Sequence, residues 1–164
     1  MLRILAAATA TVAGAIAVTS IAASASAQPA AAKSGMELIQ VLSSAAGAPA
    51  SAIAYGVFTG GGSSNLGKAR VGKLAMNGGS ITLSHKAARG GTEHFNPRSC
   101  LTSVIQPGTF KIVSGTGRFK DISGHGTYQL SFLMVAARVK GVCSDTSPPV
   151  AQQEVLRLSG HVRL

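Results

Sequence analysis

From Ser51 to the C-terminus, apolar and polar residues alternate with a period of two, and Gly, Ser and Thr interrupt the alternation at short intervals. Period two places successive side chains on opposite faces of an extended chain, so this pattern predicts antiparallel strands joined by tight turns. The predicted strands are 51 to 59, 67 to 76, 79 to 87, 100 to 106, 108 to 114, 124 to 139 and 150 to 163, with a short one near 116 to 120. An all-β domain with this many short strands suits a small barrel or a sandwich, and closure removes the edges that an exported protein otherwise has to guard.

Parity then states which side chains share a face. In 79 to 87, Ile81, Leu83 and His85 should look inward and Ser80, Thr82, Ser84 and Lys86 outward. In 124 to 139 the even positions Tyr128, Leu130, Phe132, Met134 and Ala136 form the core side, with Arg138 at its end. The odd side of that strand begins polar and turns apolar at Leu133, Val135, Ala137 and Val139, which predicts a second cover from a helix or another subunit. The last strand carries Gln152 and Glu154 among Leu156, Leu158 and Val162, opposite Arg157, Ser159, His161 and Arg163. A carboxylate on an apolar face is costly unless it is paired, hydrogen-bonded or protonated, and this singles out Glu154. On these parities Glu154, His85, Gln152, Tyr55, Tyr128 and Arg138 project into the interior. Two readings follow: Glu154 with His85 orients a ligand, or Glu154 pairs with Arg138 and His85 bonds to backbone as satisfied structure.

The N-terminal segment has a different pattern. Arg3, an apolar run from Ile4 to about Ala23, and Ala25-Ser26-Ala27 before Gln28-Pro29 have the anatomy of a secretory signal peptide cleaved after Ala27. An uncleaved membrane anchor is the alternative, although Ala, Gly, Thr and Ser dilute the run. Residues 28 to 50 read as a leader with a short helix over 35 to 46, because Ser34-Gly-Met-Glu37 fits a capping box; a strand is the alternative at this length. Residues 51 to 164 form the β domain, and the exported part, about 137 residues, is enough for one domain and too small for two.

Export changes how the cysteines and charges are read. Cys100 and Cys143 form an even pair in an oxidising compartment, so one disulfide is expected, closing a loop worth about 4 kcal/mol in the chain-entropy model. Cleavage would remove one positive charge from the +10 of the whole chain, leaving a strongly basic protein suited to an anionic cell-wall polymer or a membrane surface. Basic residues are spread singly from Lys68 to Arg163 and Trp is absent, which argues against a specific nucleic-acid partner. Glu93, His94 and His85 lack recognised metal spacing, and Gly60-Gly-Gly62-Ser-Ser lacks the Lys-Ser/Thr ending of a phosphate loop and reads as a hairpin loop. No Gly-x-Ser-x-Gly motif supports a serine hydrolase.

Gly115-Thr-Gly117-Arg-Phe119, followed by Gly124-His-Gly126-Thr-Tyr128, resembles the glycine-turn signature of the allene oxide cyclase and dirigent barrel superfamily. Phe95-Asn-Pro-Arg-Ser-Cys100, Ala137-Arg138 and Lys140-Gly-Val-Cys143 through Pro148-Pro-Val-Ala151 are similar to a group of small exported actinobacterial proteins of unassigned function. The resemblance implies an eight-stranded antiparallel β-barrel, commonly trimeric, and because the matching residues are turn and packing positions it assigns no catalytic residue. The functional expectation is an exported barrel, without a cofactor, that binds a small partly apolar ligand or an anionic envelope component. A cyclase or isomerase guided by Glu154, His85 and Tyr128 is the competing reading, and a structural or adhesive protein with a filled barrel the third.

Overall fold

The computed structural model describes residues 33–44, 50–66 and 70–164. The expected signal peptide and residues 28–32 and 45–49 of the leader lie outside the described residues. In chain order the strands are β1 (Ser34–Ser43), β2 (Ala50–Tyr55), β3 (Gly60–Ser64), β4 (Val71–Met76), β5 (Gly79–Ala87) and β6 (Thr92–Asn96). They continue as β7 (Leu101–Gly117), β8 (Ser123–Val135), β9 (Arg138–Val139), β10 (Val142–Cys143) and β11 (Ala151–Arg163). One antiparallel sheet runs β5-β4-β3-β2-β1-β11-β8-β7, and a ladder between β5 and β7 closes it into an eight-stranded barrel. β6 continues the sheet from the upper half of β7, and β9 with β10 makes a separate small hairpin.

The helix expected over 35 to 46 is not formed: Ser34–Ser43 is strand β1, and 45 and 46 lie outside the described residues. Met36, Leu38, Ile39, Val41 and Leu42 fit either period over so short a run. The decision comes from pairing, because β1 fills the gap between β2 (Leu38↔Tyr55) and β11 (Val41↔Leu156) that closure requires. As a strand it buries Glu37, Ile39 and Val41 and turns Met36, Leu38 and Leu42 outward. Gly60–Ser64, expected as a hairpin loop, is β3, laddered on both sides through backbone groups that leave no side-chain pattern in the sequence. Residues 100 to 106 and 108 to 114 fuse into β7, since Pro107 falls between the β6 ladder ending at Ile105 and the β5 ladder beginning at Gly108, where its missing N–H breaks no rung. The strand expected over 124 to 139 ends at Val135, and Arg138–Val139 belongs to the small hairpin.

At the lower end, where β7 turns into β8, the lumen is filled. Phe119 is fully buried and meets Phe58 edge-on, 5.0 Å between ring centroids. Arg118 lies 4.7 Å over the Phe119 ring and donates to the Thr59 carbonyl at 3.1 Å. Gly115 and Gly117 make the fold-back: a Cβ on Gly115 would collide with the Phe119 carbonyl, and Gly117 holds φ +60°.

The upper end is built differently. β1 stops at Ser43, level with Glu154, and β7 has already left β5, so β6 and the upper halves of β7, β8 and β11 stand above the mouth as an open flap. The Cys100–Cys143 disulfide, with 5.4 Å between Cα atoms, ties this flap to the β9–β10 hairpin.

Candidate functional site

A cavity of about 590 Å³ opens at the upper mouth. Inward positions of four barrel strands give it an apolar lining: Leu83 of β5, Phe110 of β7, Leu130 of β8, and Leu156 and Leu158 of β11. His85 and Tyr128 stand among them, level with Phe110 and Leu158, Glu154 lies nearer the mouth, and the exposed Arg70 and Lys86 complete the lining. The room exists because of a local pairing. Gly108 is the cross-strand partner of Tyr128, and a Cβ there would strike the phenol ring, so the ring lies over bare backbone and leaves the lumen above Phe110 open.

His85 and Tyr128 meet edge to face, their centroids 5.9 Å apart and their planes at 90°. The His85 Nε2 is buried and has no hydrogen-bond partner among the described residues. A buried nitrogen without a partner is costly, and a ligand supplying a donor or acceptor would recover that cost. Burial pushes the Tyr128 hydroxyl above its ordinary pKa, which keeps it a proton donor in neutral solution. Glu154 sits on the last rung that β1 and β11 share, opposite Ser43, so its half-buried carboxylate is held at the lip of the cavity. Gln106, on the same wall, donates from Nε2 to the carbonyls of Ala88 at 2.8 Å and Pro107 at 2.9 Å, which pins the chain leaving β5.

Of the six side chains expected in the interior, the fold brings together His85, Tyr128 and Glu154. Tyr55 points outward and is 51% exposed, because Ala50, Ala52 and Ala54 take the inward positions of β2. Arg138 does not pair with Glu154; it belongs to β9, where its guanidinium donates to the carbonyls of Arg98 and of Gly141 (3.0 Å) and braces the disulfide-linked loops. Gln152 has the inward parity of Glu154 but lies one step above the mouth, beside Met134, and does not line the cavity. Arg70, Lys86, Gln106 and Phe110 were not singled out by sequence. Phe110 and Gln106 shared the even parity that would have found them, whereas Arg70 precedes β4 and reaches the site only through the closure of the barrel.

A second inward carboxylate lies at the opposite end. Glu37 is 2% exposed; its Oε2 accepts from the Phe58 N–H at 3.1 Å, and its Oε1 is buried without a partner among the described residues. Burial raises its pKa from the usual carboxylate range, and the Phe58 and Val57 amides oppose that only in part. Among the described residues no group of three or more His, Cys, Asp or Glu is placed to hold a metal ion. No family model, curated protein or solved structure matches the chain.

Proposed function

We propose that this chain is an exported β-barrel that binds a small, partly apolar molecule in its upper mouth. The observation that carries the reading is the 590 Å³ cavity with an apolar lining that includes three polar side chains, His85, Tyr128 and Glu154. A pocket of a few hundred cubic ångströms with few placed polar groups is the usual form of a small-molecule site. The leucines and Phe110 would take the hydrocarbon part, and the unpartnered His85 Nε2 and the Tyr128 hydroxyl would fix its orientation. The cavity supports this over a structural barrel with a filled interior. The closed eight-stranded barrel and the Gly115 to Phe119 fold-back are what supports placing the chain with the allene oxide cyclase and dirigent barrels.

Native mass spectrometry of the protein recovered from its own culture medium tests the proposal. The expected species has lost the first 27 residues, retains the disulfide and carries a bound small molecule. Glu154→Gln should reduce the bound fraction; equal retention in the variant would remove the carboxylate from the site, and an empty cavity in every preparation would return the protein to the structural reading. The unpartnered Nε2 beside a hydroxyl held protonated also favours a second reading, proton transfer to the bound molecule during an isomerisation. Conversion of the retained molecule by wild type but not by His85→Gln would select it.

A further inference from the structure

The outer wall of the lower barrel carries a second feature, independent of the mouth cavity. Registers across β7, β8 and β11 place Lys111 opposite His125 and His125 opposite His161, so three basic side chains stand in one row. In the next row Arg163 of β11 lies between Ser123 of β8 and Ser34 of β1. Adjacent strands are roughly 4.8 Å apart, which makes these side chains direct neighbours. All six are exposed, and together they border a shallow groove of about 400 Å³.

Like charges directly opposite on paired strands repel, so a row of basic groups without a neighbouring carboxylate favours an anion beside it. No acidic residue lines this groove. On β1 the residue opposite His161 is Met36, and the neighbouring Glu37 faces the lumen; Asp121, in the turn before β8, lies outside the lining. Two histidines side by side have the atoms for a metal, but Lys111 and Arg163 beside them repel a cation and no carboxylate completes a ligand set. These four groups, with Ser34 and Ser123, suit an oxyanion. Arg163 offers a planar fork, Lys111 a point charge, Ser34 and Ser123 hydroxyl donors, and the imidazoles N–H donors.

We propose that this groove binds phosphate-type oxyanions, free or carried on a phosphodiester polymer or a lipid headgroup. Titration of the full chain with inorganic phosphate, followed by amide and imidazole NMR signals, tests it. The expected shifts centre on Ser123, His125, His161 and Arg163. Lys111→Gln with Arg163→Gln should weaken phosphate by about tenfold or more, the loss of two charge-assisted contacts. Lys73→Gln with Lys140→Gln removes the same net charge elsewhere and should leave binding unchanged. Equal weakening by both pairs, or shifts scattered over all basic residues, would overturn the proposal by reducing it to net charge. Soluble poly(glycerol phosphate) and vesicles of phosphatidylglycerol, with phosphatidylcholine vesicles as control, then distinguish the sources. Binding to either that depends on Lys111 and Arg163 supports the site and names its carrier. Absence of groove shifts with phosphate, polymer and vesicles alike overturns it.

Discussion

The two ends of this barrel are lined by the same inward rows and finish in opposite states. At the lower end the chain folds back at Gly115 and Gly117 and drives Phe119 into the lumen against Phe58. At the upper end glycine stands opposite Tyr128, and a cavity stays open. Each end also holds one inward carboxylate. Glu37 is enclosed and accepts a backbone N–H, while Glu154 waits at the lip opposite Ser43. Barrel architecture therefore does not decide between plug and pocket; a few positions at each end do.

The largest expected effect is on the plug. Phe119→Ala should cost about 3–5 kcal/mol in guanidinium unfolding, since it empties a fully buried ring site that the closed wall cannot collapse around. A loss below about 1 kcal/mol would mean the lower end is not held by that ring.

Next comes the flap. Cys100→Ser with Cys143→Ser should lose about 2–4 kcal/mol, with amide exchange accelerating in β6, β9 and β10 before the barrel strands. Uniform acceleration across all strands would contradict a flap that is separable from the barrel.

Gly108→Ala sharpens the comparison at the upper end. The new methyl strikes both the Tyr128 ring and the Lys86 carbonyl, so the ring must shift and the β5–β7 ladder must give; stability should fall by about 1–3 kcal/mol, and the mouth should change shape. Apolar dye binding should fall in this variant. Unchanged dye binding would separate the open mouth from the Gly108–Tyr128 pairing.

The smallest effects come from the two carboxylates. Because burial raises the Glu37 pKa in the folded state, its protonation stabilises the fold fully below the unfolded carboxylate pKa, and this contribution is lost as pH rises through the raised folded value. Glu37→Gln should flatten that decline and keep the bond from Phe58 N–H, so relative to wild type it gains stability towards neutral pH. Glu154→Gln should move stability by less than about 0.5 kcal/mol, because its side chain is half-exposed at the mouth. Identical pH curves for the two variants would erase the distinction between the ends.

Much of the barrel was legible in sequence where side chains alternate. The bounds of β5, the inward Ile81, Leu83 and His85, and the even row of β8 and β11 follow from period two. β3 was not legible, because Gly-Gly-Gly-Ser-Ser has no alternation to read and is strand only through its neighbours' ladders. β1 was ambiguous for a related reason: a short apolar run fits both periods until two partners compete for it. Parity placed His85, Tyr128 and Glu154 on inward faces, as the fold does; it misplaced Tyr55, whose strand had no internal signal to say which face was inward, and Arg138, which lies beyond the end of β8, while Gln152 kept the inward parity but stands above the mouth.

By itself the sequence determined the class of fold, the disulfide partners and which residues within each strand share a face, since these depend on local period and on a count of two cysteines. Tertiary structure decided which faces meet across strands. That register sets Gly108 against Tyr128, lines Lys111 up with His125 and His161, and sends Glu37 and Glu154 to opposite ends. The physical reason is that a one-residue slip between strands changes every cross-strand neighbour while leaving each strand's own pattern intact, so only the closed ladder selects among registers.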